Sequence, residues 1–481
     1  MTGSYDVRFY KIDVRRDRPT PYRVRWVVSG RRFSDAFATM ALAESFRAQL
    51  ITLARNGEPF DRDIGLPESL VRKQLDVSFL AHAREFMAVA WRGAAAKSRV
   101  SMLETLSFVV PVVARTTSAA PDPDVLRSAL RKDLNQGRNA GTPDPAESRA
   151  LAWLAKASLP VSALEDESLV WEVLDLLAVR LDGKPAAAEY FARRRRVLHR
   201  VLGYAVRRKR LATNPLSKPN LPDGWTPPPA PEDAVDPRSV GSPRLLADML
   251  TACSYIGEHQ GERFVAFFGC MYYAMMRPSE VVALTLDGCT LPDRGWGYLT
   301  FADSSPAAGS AFTDDGLVHE HRGLKGRSRG RAGDAQRSRR PVRRVPIPPE
   351  LVTLLRTHLD RFGTDREGRL FRSEQGNPIQ PSTWWQVWKK VRALSLTPAQ
   401  RATPLLQRPY DLRHSGVTWR LNSGVPPTDV AAWAGHSVEV LMRVYAKCMT
   451  GLEDVWIGRM DEALHLQDQR RGDPPRGDEP R

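Results

Sequence analysis

Three features of the sequence predict an α+β chain that is mostly α and divided into several domains. Apolar residues alternate with Arg and Lys over the first forty positions, the pattern of a small sheet. Apolar residues then recur every three or four positions from about 75 to 216, the pattern of a helical bundle. Beyond a proline-rich stretch, helical periods return around two short strand-like runs. A chain of 481 residues exceeds one ordinary core, so two to four domains are expected. The boundaries read as 1–62 for a three-stranded sheet plus helix, 75–218 for a helical domain, 219–241 for a linker, 242–466 for a mixed helical domain with a small sheet, and 467–481 for a disordered tail.

Composition narrows the partners. Lys and Arg number 71 against 55 acids, a net charge of +16, which favours nucleic acid or an anionic membrane surface. No apolar run reaches the roughly 18 residues that a span needs, and the N-terminus lacks a charged segment followed by an apolar one. Nucleic acid is therefore the better partner, with no membrane, and a cytoplasmic, nucleoid-associated protein is expected. Cys253, Cys270, Cys289 and Cys448 show no C-x-x-C spacing and read as reduced, mostly buried thiols. His319 and His321 lie in an Arg-rich loop without nearby Cys. No metal and no other cofactor is expected.

In chain order, residues 5–14, 22–28 and 32–37 read as antiparallel strands, and Thr39 as the cap of a helix carrying Leu42, Phe46, Leu50 and Leu53 to a stop at Asn56-Gly57. Arg8, Lys11, Arg15, Arg16, Arg23, Arg25, Arg31 and Arg32 can face a DNA groove from such a sheet; the plain alternative is a solvated face. Helices follow at 77–91, 97–113, 123–133 and 167–181, with loops at 114–122 and 135–145. The segment 193–210 carries nine basic residues and no acid. Arg193, Arg194, Arg195, Arg196, Arg200, Arg207 and Arg208 are assigned to phosphates, while Val197, Leu198, Val201, Leu202 and Ala205 supply the packing stripe. Residues 221–243 contain seven prolines, the composition of a semi-rigid linker that does not pack.

The last domain opens with helices at 245–256 and 263–274. They lead to M-M-R-P-S-E, where Pro278 suits the first helical position and leaves Arg277 at a helix N-terminus that favours an anion. Strands are expected at 297–301 and 342–347. The excursion between them holds ten basic residues and one acid between His321 and Arg344. That charge will not pack on itself, so Arg322, Arg327 and Arg329 are placed against phosphates. A helix at 350–361 and one carrying Trp384, Trp385 and Trp388 follow, the tryptophans reading as core. Residues 412–423 and 427–433 read as helices stopped by Gly424 and Gly435, and Ser437 as the cap of a third. Two tight turns fold these together and can bring Arg413, His436 and Tyr445 into one site. A guanidinium binds two phosphate oxygens, an imidazole exchanges a proton near neutrality, and a phenol can attack phosphorus.

The order Arg413-His414, then Gly435-His436-Ser437, then Tyr445 nine residues after His436, resembles the catalytic end of the tyrosine recombinases, the phage-integrase family, in its larger, arm-binding form. The first 62 residues resemble the arm-binding domain and 75–218 the core-binding half of a DNA clamp. The resemblance implies that Arg277 is the first catalytic arginine, Arg413 the second, Tyr445 the nucleophile, and His436 a residue that moves a proton or positions phosphate. Lys325, the lysine of the excursion, would donate to the leaving oxygen. The family usually has His or Lys where Tyr410 stands; a phenol there can hydrogen-bond phosphate but brings no positive charge. His414 reads as a capping or packing residue. The resemblance further implies duplex attachment sites, a homotetramer on DNA, directionality or DNA-bending factors, and a C-terminal helix at 452–464 that docks on a neighbouring subunit. The activity expected is site-specific recombination that integrates or excises a mobile element, such as a phage, through a 3′-phosphotyrosyl intermediate. Type IB topoisomerase-like nicking and resealing, or non-catalytic DNA binding on the same scaffold, are the alternatives.

Overall fold

In a computed structural model the described residues are 3–115, 117–217, 234–324, 342–449, 457–462 and 464. They fall into two compact units, Met1–Ala230 and Pro231–Arg481.

The first unit begins with β1 (Gly3–Ser4), β2 (Val7–Phe9), β3 (Asp13–Val14), β4 (Tyr22–Val28) and β5 (Arg31–Phe37), followed by α1 (Met40–Arg55) and β6 (Phe60–Asp61), which pairs β1. Strand β4 is central: β5 covers one edge, and β2 and β3 share the other. The first expected strand is thus broken in two. Phe9 faces Trp26 and Asp13 faces Arg23, so the first strand holds one residue more than β4 over that interval, a bulge that bends the edge. Val24, Trp26 and Val28 point to the core shared with Ala43 and Leu50 of α1. The alternation therefore puts Arg8, Arg23, Arg25 and Arg32 on the opposite face, as the sequence pattern expects. Thr39 caps α1 by accepting a hydrogen bond from the Leu42 amide at 3.3 Å.

The helices α2 (Glu68–Leu75), α3 (Phe79–Trp91), α4 (Ala96–Val112), α5 (Pro123–Asp133), α6 (Pro145–Ala157), α7 (Glu167–Ala178) and α8 (Ala188–Arg207) complete this unit. The sequence reading missed α2 and α6. The second carries a legible signal, since Asp144 and Glu147 form a reciprocal capping box. At the centre of the bundle His82 is fully buried, its Nε2 facing the Val201 carbonyl at 3.1 Å and its Nδ1 facing the Arg210 guanidinium at 2.8 Å. Arginine only donates, so Nδ1 accepts and the ring is neutral.

Burial and the Arg210 charge lower the His82 pKa to about 4, against support from the Val201 carbonyl. The folded ring binds its proton more weakly than the unfolded one. Its stabilising contribution is therefore complete above about pH 6.5 and is lost as the pH falls toward 4. His82→Gln keeps an acceptor and a donor but does not titrate. Between pH 7 and 4.5 the wild type should lose roughly 2.4 kcal/mol more unfolding free energy, read by urea, than this variant; equal losses would rule out the titration.

The second unit comprises α9 (Pro243–Ser254), α10 (Glu262–Tyr273), α11 (Pro278–Val282), β7 (Cys289–Thr290), β8 (Gly297–Phe301), β9 (Asp303–Ser304), β10 (Arg322–Gly323), β11 (Arg343–Ile347), α12 (Pro349–Phe362), α13 (Pro381–Ser395), α14 (Pro398–Arg401), α15 (Asp411–Asn422), α16 (Pro427–Ala434) and α17 (Val438–Tyr445). Helix α10 is the core element: Phe264, Phe267, Phe268, Met271 and Tyr272 are all buried, as expected for a helix apolar all round. It runs close to α15 because Gly416 lies against it; a Cβ there would sit 2.0 Å from the Tyr272 carbonyl oxygen. The antiparallel sheet β7-β8-β11 closes one side. Trp388 is core and donates to the Leu406 carbonyl at 2.8 Å, and Trp384 stacks on Phe267, but Trp385 is exposed.

One expectation is corrected by packing. The end of the proline-rich stretch does pack: Val235 is buried and its amide donates to the Val444 carbonyl at 2.8 Å, while the Gly241 amide donates to Ser415 Oγ at 3.0 Å. Proline composition predicts an extended chain, and here that chain finds an apolar seat beside α17. The rest of the expected linker, 219–233, lies outside the described residues, as does the tail 467–481. Of the expected C-terminal helix, residues 457–462 and 464 are described; they are helical, with Ile457, Met460 and Leu464 exposed. Among the described residues no helix is long and apolar enough to cross a membrane.

Candidate active site

The local stops work as the sequence suggests. Gly424 and Gly435 are left-handed, at φ 75° and 68°, and Ser437 Oγ caps α17 by accepting from the Val440 amide at 3.1 Å. Gly435 is required twice, since a Cβ there would also meet Arg343 Nη1 at 2.3 Å. The turns bring α15, α16 and α17 together, with Arg413, His436 and Tyr445 at their junction.

At the base of the site lies Glu280, 1 % exposed. Its carboxylate accepts from the Arg277 amide at 2.8 Å, from Arg277 Nη1 at 2.9 Å and from Arg343 Nη2 at 2.5 Å, and Arg413 Nη1 lies 3.9 Å away. Burial works against its ionisation, but Arg343, Arg413 and Arg277 outweigh it and hold the carboxyl below its ordinary range. Burial also lowers the Arg343 guanidinium to about 10, which leaves it charged at neutral pH. One anion thus organises three cations.

That arrangement corrects the reading of Arg277. Helix α11 has five residues, and the Glu280 side chain already occupies the Arg277 amide. The Arg277 amide is therefore not free for an anion. The Arg277 side chain, 35 % exposed, is the group that faces a cleft of about 430 Å³ which it lines with Arg322, Arg343 and Gly435. Arg343 was missed. It had been counted in the phosphate-seeking excursion, yet it is buried, donates to the Ala434 carbonyl at 3.0 Å and lies over Phe301. The period of two was the available signal, because Arg343 shares the inward face of β11 with Val345 and Ile347.

Arg413 is fully enclosed. It donates to the Met275 carbonyl, to the Ala434 carbonyl at 2.5 Å and to His436 Nε2 at 2.9 Å. Met275 is left-handed at φ 52°, an uncommon conformation for a side-chain-bearing residue. His436 must accept from Arg413 through Nε2, so its proton sits on Nδ1, a buried atom without a partner among the described residues. Burial, Arg413, Arg277 and Arg343 lower its pKa to about 3. His436 is therefore a neutral ring with one N–H to offer.

Tyr445 is 1 % exposed, and burial raises its phenol above the ordinary value against the pull of Arg413. Its ring stacks beside His436 at 6.3 Å, but its hydroxyl lies 2.9 Å from Nδ1 of His414. His414, read from sequence as a capping or packing residue, is the one that touches the phenol oxygen. Tyr410 sets its ring edge on His414 at 5.1 Å, and its phenol interacts electrostatically with Arg277. Lys325, Arg327 and Arg329 lie outside the described residues. Arg322 is half-buried, with Glu320 3.7 Å away.

On α8 the basic residues divide. Arg193, Arg196, Arg200 and Arg207 are exposed at intervals of three, four and seven residues, one stripe about 21 Å long at 1.5 Å per residue. Arg194 is corrected: it is buried, donates to the Val179 carbonyl at 2.9 Å, and its guanidinium lies 4.0 Å from the Phe108 ring centre. It caps α7 rather than facing phosphate. Arg195 is half-buried and donates to the Leu216 carbonyl at 2.9 Å, and Arg208 is exposed but paired with Glu85 at 2.7 Å.

No family model matches the chain. A curated relative, a tyrosine recombinase XerC-like protein of Caldanaerobacter subterraneus subsp. tengcongensis, is 25 % identical over 122 residues. That match takes in 23 % of this chain and spans 29 % of the relative's length. Among solved structures, the Tn1549 transposon integrase in complex with transposon right end DNA is similar at 16 % identity and TM-score 0.44, over 70 % of this chain and 98 % of that one. The XerH site-specific recombinase bound to palindromic difH substrate is similar at 13 % identity and TM-score 0.40, over 77 % and 97 %. A lambda integrase dimer bound to a COC′ core site is similar at 10 % identity and TM-score 0.43, over 89 % and 91 %. The proteins that this chain resembles are thus tyrosine recombinases and integrases.

Proposed function

We propose that this protein is a tyrosine-type site-specific DNA recombinase that integrates or excises a mobile element. One observation carries the reading: the buried Tyr445 phenol meets His414 at 2.9 Å, Arg413 meets His436 at 2.9 Å, and Glu280 ties Arg413 to Arg277, which faces a cleft. Tyr445 attacks a DNA phosphorus, giving a 3′-phosphotyrosyl link and a free 5′ hydroxyl, which a partner strand's 5′ hydroxyl later reverses. The bond energy is kept, so no ATP is consumed. Arg277 binds a non-bridging oxygen from the cleft, and His436 offers Nδ1–H to another. Arg413 holds His436 and the α10–α11 turn in place, and phosphate reaches it only if the covering side chains shift. Lys325 protonates the leaving 5′ oxygen.

The sheet face of Arg8, Arg23, Arg25 and Arg32 takes an arm site, and the α8 stripe takes the backbone of the core site. The segments 1–62, 75–218 and 242–466 act as arm-binding, core-binding and catalytic domains. Four copies assemble on duplex attachment sites, with directionality or DNA-bending factors, in the cytoplasm at the nucleoid.

The test uses nicked duplexes from the DNA flanking the protein's own gene, and looks for a protein–DNA adduct that survives denaturation. The wild type should form one and Tyr445→Phe none. An adduct that persists in Tyr445→Phe would remove Tyr445 as nucleophile. No adduct with either protein, despite salt-sensitive binding, would replace the reading with a non-catalytic DNA-binding protein.

A further inference from the structure

We infer that His414 is a catalytic residue of this site: its Nδ1 takes the proton of the Tyr445 hydroxyl as that oxygen attacks phosphorus. The inference rests on the recombinase reading and deepens it, naming the proton acceptor for the attacking phenol.

The geometry separates the two histidines. His436 spends its Nε2 lone pair on Arg413, which can only donate, and its remaining ring nitrogen carries the proton. It has no basic atom left for a phenol. His414 Nδ1 stands 2.9 Å from Tyr445 Oη, within the reach a general base needs. With the phenol donating, Nδ1 accepts and the ring proton sits on Nε2. Tyr410 braces the imidazole with its ring edge, the centroids 5.1 Å apart.

The electrostatics agree. Burial, with Arg408 and Arg413, lowers the His414 pKa to about 4, so the ring is neutral and its lone pair open at neutral pH. A phosphate entering the cleft beside Arg277 brings negative charge against these cations and raises the basicity of the imidazole. The base thus strengthens when substrate arrives. In the step itself, the Tyr445 O–H bond breaks toward His414 Nδ1 and the Oη–P bond forms. The P–O5′ bond breaks, and O5′ takes its proton from the general acid. His414, now an imidazolium, returns its proton to Tyr445 when the 5′ hydroxyl attacks the phosphotyrosine. The same residue serves both directions.

The experiment compares His414→Ala, His414→Asn and wild type in single-turnover adduct formation on the duplex that wild type cleaves, alongside DNA affinity and melting temperature. Asparagine can accept the phenol hydrogen bond through its side-chain oxygen but cannot hold the proton. Both variants should bind DNA as wild type does and form adduct at least about 100-fold more slowly, with added imidazole restoring part of the rate in His414→Ala. Asparagine restoring a rate within threefold of wild type would show that His414 only positions Tyr445 and would overturn the inference. Should His414→Ala melt early, the asparagine variant carries the comparison by itself. Absence of adduct with wild type on every duplex would instead bring down the recombinase reading, and this role with it.

Discussion

Glu280→Ala is expected to destabilise the protein by about 3–5 kcal/mol and to abolish adduct formation. The carboxylate is 1 % exposed and lies within 4 Å of three guanidinium groups, those of Arg277, Arg343 and Arg413. Taking it away leaves buried positive charges without a counter-charge, and that desolvation cost is what makes breaking one side of a buried ion pair so damaging. The Arg277 amide also loses its acceptor. Glu280→Gln keeps the shape and one acceptor oxygen but not the charge, so it should recover part of the stability and little of the activity. The comparison is made by urea unfolding of the full chain together with the adduct assay. A change below about 1 kcal/mol for Glu280→Ala would mean that the arginines find solvent or other partners, and the central role given to Glu280 would fall.

The second large effect is expected at Arg413. Its planar fork serves the Met275 and Ala434 carbonyls and His436 at once, a set that a lysine ammonium on a flexible stem does not reproduce. Arg413→Lys should slow adduct formation by at least about 100-fold, the size seen when one preorganised donor is removed from an active site. It should also lower stability, because buried carbonyl oxygens lose their donors. From sequence alone Arg413 looks like a phosphate clamp whose loss leaves the rest of the protein untouched. Its full burial changes that expectation: activity and stability should fall together, while DNA affinity persists in the fraction that remains folded. Cleavage by Arg413→Lys within threefold of wild type would remove Arg413 from the site.

Two positions show where sequence reasoning went further than its usual signals and where it stopped short. Turn chemistry at Arg-Pro-Ser-Glu offered Arg277 an anion-favouring helix end and the family resemblance placed it in the catalytic set, but the Arg277 amide itself is taken by the Glu280 carboxylate. Arg343 was counted among the ten basic residues of the excursion and given no role of its own, although the two-residue period of β11 already put it on the inward face. Charge density counts residues over a window and does not see which way each side chain points.

What the sequence by itself determined was the order of elements and the stops between them. Helical and strand periods, the Thr39 and Ser437 caps and the left-handed turns at Gly424 and Gly435 are local, governed by residues a few positions apart. They were enough to bring Arg413, His436 and Tyr445 into one neighbourhood. Only the tertiary structure decided which atom faces which. That His414 rather than His436 meets the Tyr445 hydroxyl, that Arg194 caps α7 instead of facing solvent, and that Glu280 reaches Arg343 and Arg413 depend on groups 15 to 133 residues apart. Such contacts are set by packing and by the demand that every buried charge and polar group find a partner, which local periodicity does not encode.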